Sequence, residues 1–152
     1  MSNIPQQEIL AQALDGDVLT SLIRDETYTF YPSDGSPEIN IRSGELTRWL
    51  HDKAQSKVTD LTFPEETLEE IIDRNGVHVP RADALTEEQA SMPVVVGLWH
   101  DGSGILIDGA HRRHYWAKRG ITTIRGWAVP EEVWRHYVFD PAQMAGIVHD
   151  RD

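Results

Sequence analysis

Apolar and polar residues follow two rhythms along this chain, and the changes between them mark its elements. Near the start, Ile9, Leu10, Ala13 and Leu14 recur at helical spacing within Pro5 to Leu14, and a second short helix is expected over Asp17 to Arg24. Tyr28 to Tyr31 is an aromatic, β-favouring run, Pro32-Ser33-Asp34-Gly35 is rich in turn formers, and Glu38 to Arg42 alternates. Together these segments predict a hairpin. Ser43 then suits the N-cap of a helix through Leu46, Trp49 and Leu50 to about Ala54. Another helix is expected from Pro64, near its first position, to Asn75, with Gly76 just past its end. Downstream, Pro130-Glu131-Glu132 opens a helix through Trp134 and Tyr137 that Pro141 ends or restarts, and there is no internal repeat.

The most informative stretch lies between. Ile105 to Ile107 are branched apolar residues bounded by Gly104 and Gly109, which predicts a buried strand; Ala110 to Arg119 predicts a short basic helix with Gly120 at its C-terminal end. The first N–H groups of such a helix lack intrahelical partners, and with the helix dipole they favour a phosphate or carboxylate there. Arg112 and Arg113 fall in the first turn, where the dipole disfavours each cation by roughly 0.3–1 kcal/mol. A bound anion would reverse that penalty.

The pattern Asp108-Gly109-Ala110-His111-Arg112 after an apolar strand, followed by a helix and the strand Thr122 to Val129, resembles the ParB/sulfiredoxin-like superfamily (ParB-like nuclease domain). The resemblance extends back through Val77 to Leu85, expected as a short strand and turn, and through the Pro-led strand Met92 to Trp99, so that it covers about half of the chain. It implies an α+β fold, a mixed sheet with flanking helices, carrying an N-terminal helix and hairpin extension. The expected organisation is an acidic extension of unrecognised type over 1–75, the core over 76–140 and a tail over 141–152. In that superfamily the strand-turn-helix binds nucleotide phosphates, which implies contacts from Gly109, Ala110, His111, Arg112 and Arg113 to ATP, ADP or CTP, with Mg²⁺ present. Members include DNA-partitioning clamps, peroxiredoxin-repairing reductases, free-serine kinases and nucleases, so the fold does not fix the activity.

Departures from the family pattern narrow the choice. Ala110 stands where sulfiredoxins carry their catalytic Cys, and the chain has no Cys, which excludes that route. ParB partition proteins carry Gly-Glu-Arg-Arg and a following helix-turn-helix domain, for which the roughly thirty residues after the signature helix are too few. The serine-kinase branch has Asp-Gly-His-Thr-Arg, whose Asp matches Asp108; Asp83, Glu87 and Glu88 are the candidates for its second acidic residue. The expected function is a nucleotide-binding domain with phosphotransferase or nucleotide hydrolase chemistry. The alternatives are a ParB-like DNA-binding protein or nuclease of phage or plasmid type, and a non-catalytic interaction module with a vestigial nucleotide site.

Composition bears on these alternatives. The chain has 152 residues, 39% of them hydrophobic, with five Trp, enough for one compact unit. No 18-residue apolar run and no signal-like N-terminus occur, so a soluble cytoplasmic protein without membrane contact is expected. Net charge is −11, and residues 1–75 carry 6 Lys and Arg against 15 Asp and Glu, whereas residues 76–152 carry 8 against 10. Such a balance disfavours duplex binding, which needs cations to neutralise phosphates. The acidic half is either a solvated surface or the part that meets a protein partner.

Asp108 has three readings: catalytic base, Mg²⁺ ligand, or N-cap of the helix. Gly109 fits a conformation that lets phosphate approach. Arg112 is the residue expected to grip the anion, against an ion pair as the alternative. His111 is expected to donate to phosphate or to a neighbouring carbonyl; with His114 it has the spacing of a metal pair but lacks a third ligand. Arg113 and Lys118 read as solvated, and Tyr115 and Trp116 as packing residues.

Overall fold

The computed structural model describes residues 26–142; the helices expected over Pro5 to Leu14 and Asp17 to Arg24 lie outside them. Strands β1 (Tyr28–Phe30) and β2 (Ile39–Ile41) form the expected antiparallel hairpin, with Tyr28 opposite Ile41. Its turn is held by Asp34, whose carboxylate accepts from the Ser36 N–H at 2.9 Å. Helix α1 (Ser43–Lys53) buries Leu46 and Leu50, four residues apart on one face. Ser43 is the first residue of that helix and not its cap, because its hydroxyl donates to the Glu26 carbonyl at 3.2 Å.

After strand β3 (Thr59–Thr62), helix α2 (Leu68–Asn75) starts later than Pro64 suggested. A capping box decides the point: the Thr67 hydroxyl accepts from the Glu70 N–H while the Glu70 carboxylate accepts from the Thr67 N–H. Gly76, at φ 65°, ends the helix as expected. Helix α3 (Val79–Asp83) replaces the strand and turn expected there; Pro80 sits in its first turn, where a missing N–H costs nothing. Helix α4 (Glu87–Ala90) has a second capping box, Thr86 with Gln89.

Strands β4 (Val94–Leu98) and β5 (Gly104–Asp108), helix α5 (Ala110–Lys118), strand β6 (Thr123–Val129) and helix α6 (Glu131–Trp134) complete the described residues, with 3₁₀ turns at Gln55–Lys57 and Arg135–Tyr137. The main sheet has the order β3-β6-β4-β5; β6 is antiparallel to β3 and parallel to β4, and β4 is antiparallel to β5. The class is therefore α+β with a mixed sheet. Because strand side chains alternate, Val95, Trp127 and Val129 pack on one face with Ile41, Leu46, Leu50 and Trp134, while the other face receives α5, whose Ala110 and Ala117 meet Ile71 of α2, Ala82 of α3 and Val77 between the two. The first of these clusters joins residues from both sides of position 75. Among the described residues no helix is long and apolar enough to cross a membrane.

Candidate functional site

The strand-turn-helix lies where the sequence puts it. Ile105 and Ile107 are buried, β5 ends at Asp108, and α5 begins immediately after a single glycine. Gly109 has φ 113°, and a β-carbon there would lie 2.5 Å from Val94 Cγ1. Only glycine combines that backbone angle with that approach to β4. Gly109 is the N-cap of α5, and no side chain caps that end. Asp108 is thus not the cap; its carboxylate instead accepts from the Thr47 hydroxyl at 3.2 Å and pairs with Arg112 at 3.1 Å, both on Oδ2.

The uncapped helix start opens on a cleft of about 150 Å³. Asp108, Gly109, Ala110 and His111 line one wall, Ser43 and Tyr28 come from α1 and the hairpin, Asn75 from the end of α2, Arg81 from α3, and Glu26 from the segment before β1. Ser43 was foreseen only as a cap, and nothing local marks Asn75, Arg81 or Glu26; they arrive through the packing of their elements around α5.

His111 does not donate to a carbonyl. Its Nε2 accepts from the His78 N–H at 3.1 Å, which requires the neutral ring with its proton on Nδ1. Burial, aided by the neighbouring Arg81, His78, Arg112 and His114, pushes its pKa down to about 4. Of these neighbours Arg81 also lines the cleft, and its charge favours an anion there.

The arginines divide. Arg112 is 1% exposed and outside the cleft lining; besides Asp108 it donates to the carbonyls of Pro93 at 2.6 Å and Met92 at 3.2 Å. Arg113, expected in solvent, is buried too, donating to Pro64 O and Glu66 and lying 4.4 Å from the Phe63 ring centroid. Burial lowers the Arg113 pKa against the opposing pull of Glu66. Gly109, Ala110 and His111 therefore reach the cleft while Arg112 and Arg113 brace the helix that forms it.

No known protein family, characterised protein or solved structure matches this chain. The chemistry of the cleft thus stands on its own geometry. Asp83 pairs at 3.0 Å with Lys118, which stays exposed as expected, and Glu87 and Glu88 occupy the first turn of α4; none of the three acids lines the cleft. Trp116 donates from its indole to Ala90 O at 2.8 Å and Tyr115 is buried, as expected of packing residues. Among the described residues no three His, Asp or Glu side chains gather as a metal site. His114 is buried with Nδ1 unpartnered, and burial lowers its pKa. On the far side of the Asp108–Arg112 pair, His51 packs edge-on against Trp127 at 5.0 Å, its pKa lowered by burial and by Arg112.

Proposed function

We propose that this chain is a nucleotide-binding domain of the ParB/sulfiredoxin-like kind, which holds the phosphates of a nucleotide such as ATP, ADP or CTP at the start of α5. The observation that carries this is the uncapped N-terminus of α5, set behind a glycine with φ 113° and opening on a cleft that Arg81 and His111 also line. Backbone N–H groups and the dipole supply the donors, and the glycine admits the phosphate. Mg²⁺ would enter with the nucleotide, for which one carboxylate together with phosphate oxygens is enough, and Asp108 is the carboxylate at the right wall.

Phosphoryl transfer or nucleotide hydrolysis is the reaction class we attach to the cleft. Asp108 borders it and accepts a hydroxyl proton donor, Thr47, a geometry that also suits a substrate hydroxyl or water. To act so, the carboxylate must use Oδ1 or give up a contact on Oδ2.

Isothermal titration with ATP, ADP, CTP and GTP, with and without Mg²⁺, tests the binding. The informative variant is His111→Glu, which keeps an acceptor for the His78 N–H, suits a helix first turn and places a negative charge in the cleft. Saturable binding by the wild type, lost in the variant at unchanged fold, is expected; no binding by the wild type overturns the proposal. Release of phosphate from bound ATP or CTP tests the chemistry separately, and its absence leaves a binding domain only.

A further inference from the structure

A cleft made only for a polyanion would be walled by donors, and this one is mixed. Besides the first turn of α5 and Arg81, its lining includes the acceptors Asp108, Glu26 and Asn75. The Asn75 amide oxygen is buried without a hydrogen-bond partner. Native proteins rarely leave such an atom unsatisfied, and a fully ionised phosphate, which only accepts, cannot satisfy it. An O–H or N–H donor next to the phosphate can. The Asn75 amide turns on a broad, two-fold terminal torsion, so the oxygen swings toward a ligand at little cost.

Size points the same way. At about 150 Å³ the cleft is smaller than the roughly 300–1,000 Å³ of sites that enclose a whole drug-sized ligand. It takes a phosphate and the group attached to it, and leaves the rest of a nucleotide outside.

On these grounds we propose that the cleft selects phosphate esters carrying a hydroxyl close to the phosphate, sugar phosphates and the sugar-phosphate end of nucleotides, with Asn75 as the specificity-determining residue that accepts from that hydroxyl. This rests on the cleft being a phosphate site. It adds that bare phosphates and polyphosphates are poor ligands, and that recognition is largely indifferent to the nucleobase.

Titration of the full chain with ribose 5-phosphate and with methyl phosphate, of like charge but without a hydroxyl, tests it. The wild type is expected to bind the sugar phosphate about tenfold more tightly, the order of one hydrogen bond. In Asn75→Ala, a change favourable to the last position of α2, that ratio falls to about one while methyl phosphate affinity stays within about twofold. Asn75→Asp, which keeps the acceptor, weakens both ligands but retains the ratio. An unchanged ratio in Asn75→Ala, or equal affinities in the wild type, overturns the role of Asn75 and leaves the phosphate site standing. If the wild type binds neither ester nor any nucleotide, the phosphate site falls and this proposal falls with it.

Discussion

The Arg112 guanidinium lies 3.1 Å from the Asp108 carboxylate, and the pair clasps the end of β5 to the first turn of α5 across Gly109. Both side chains are largely withdrawn from water, at 2% and 16% exposure. Desolvated pairs of this kind are costly to break from one side, because the remaining charge stays buried.

Arg112→Met is therefore expected to lower stability by about 3–5 kcal/mol. Urea unfolding followed by Trp fluorescence reads this as a lower midpoint at unchanged slope. Adding Asp108→Asn should restore part of the loss, since the stranded charge is removed. A double variant no more stable than the single one would show that the carbonyl bonds to Met92 and Pro93, not the ion pair, carry the effect.

Gly109→Ala meets both an unfavourable backbone angle and Val94, whose Cγ1 lies 2.5 Å from the new β-carbon. A loss of about 1–3 kcal/mol is expected from the backbone alone, together with weaker nucleotide binding in titration. Gly120→Ala is the control: it shares the positive φ but has no neighbour within 4 Å of the new atom, so it should destabilise less and leave binding intact.

Stability should decline in acid through His111. Its pKa is about 4 in the folded chain against the ordinary 6.5, so the unfolded chain takes up the proton first as pH falls. The contribution is complete above pH 6.5, is lost progressively between 6.5 and 4, and changes no further below that. His51 and His114, lowered in the same direction, add to the slope. Urea midpoints of wild type and His111→Gln at pH 7.5, 6 and 5 check this. The difference between the two should shift in favour of the variant as pH falls, and a pH-independent difference would refute the assignment.

Duplex DNA should not be retained in a filter-binding assay even at low salt. The net charge is −11, and Arg112 and Arg113, the two cations that would approach phosphates at the signature, are enclosed by carbonyls and carboxylates. Retention at about 50 mM salt that falls steeply at 200 mM would revive the DNA-acting alternative.

What the sequence made legible was local. The hairpin turn, the Gly76 helix stop, the β5-glycine-α5 unit and the Gly120 end of α5 each depend on a few adjacent residues whose backbone preferences agree. The destinations of Arg112 and Arg113 were not, because an arginine in a helical first turn reads alike whether its partner is a ligand or a distant carbonyl. Here the partners are Pro93 O, 19 positions away, and Glu66, 47 positions away. Val77 to Leu85 misled for a related reason. Its β-branched residues favour a strand, yet Pro80 suits a helical first turn, and Val77 and Ala82 pack with Ile71 against α5.

The order of strands sets when this protein can come into being. β6, the last strand among the described residues, is an inner strand of the sheet: Thr59 to Thr62 pair with it on one side and Val94 to Gly97 on the other. During synthesis β4 and β5 can meet as a hairpin as soon as they emerge, but β3 has no partner strand until Thr123 to Gly126 have left the ribosome. A ribosome stalled before Thr123 would already hold every residue that lines the cleft, the last of them His111, on a sheet whose β4 edge is still open, so that the site is complete in sequence before the sheet beneath it has closed.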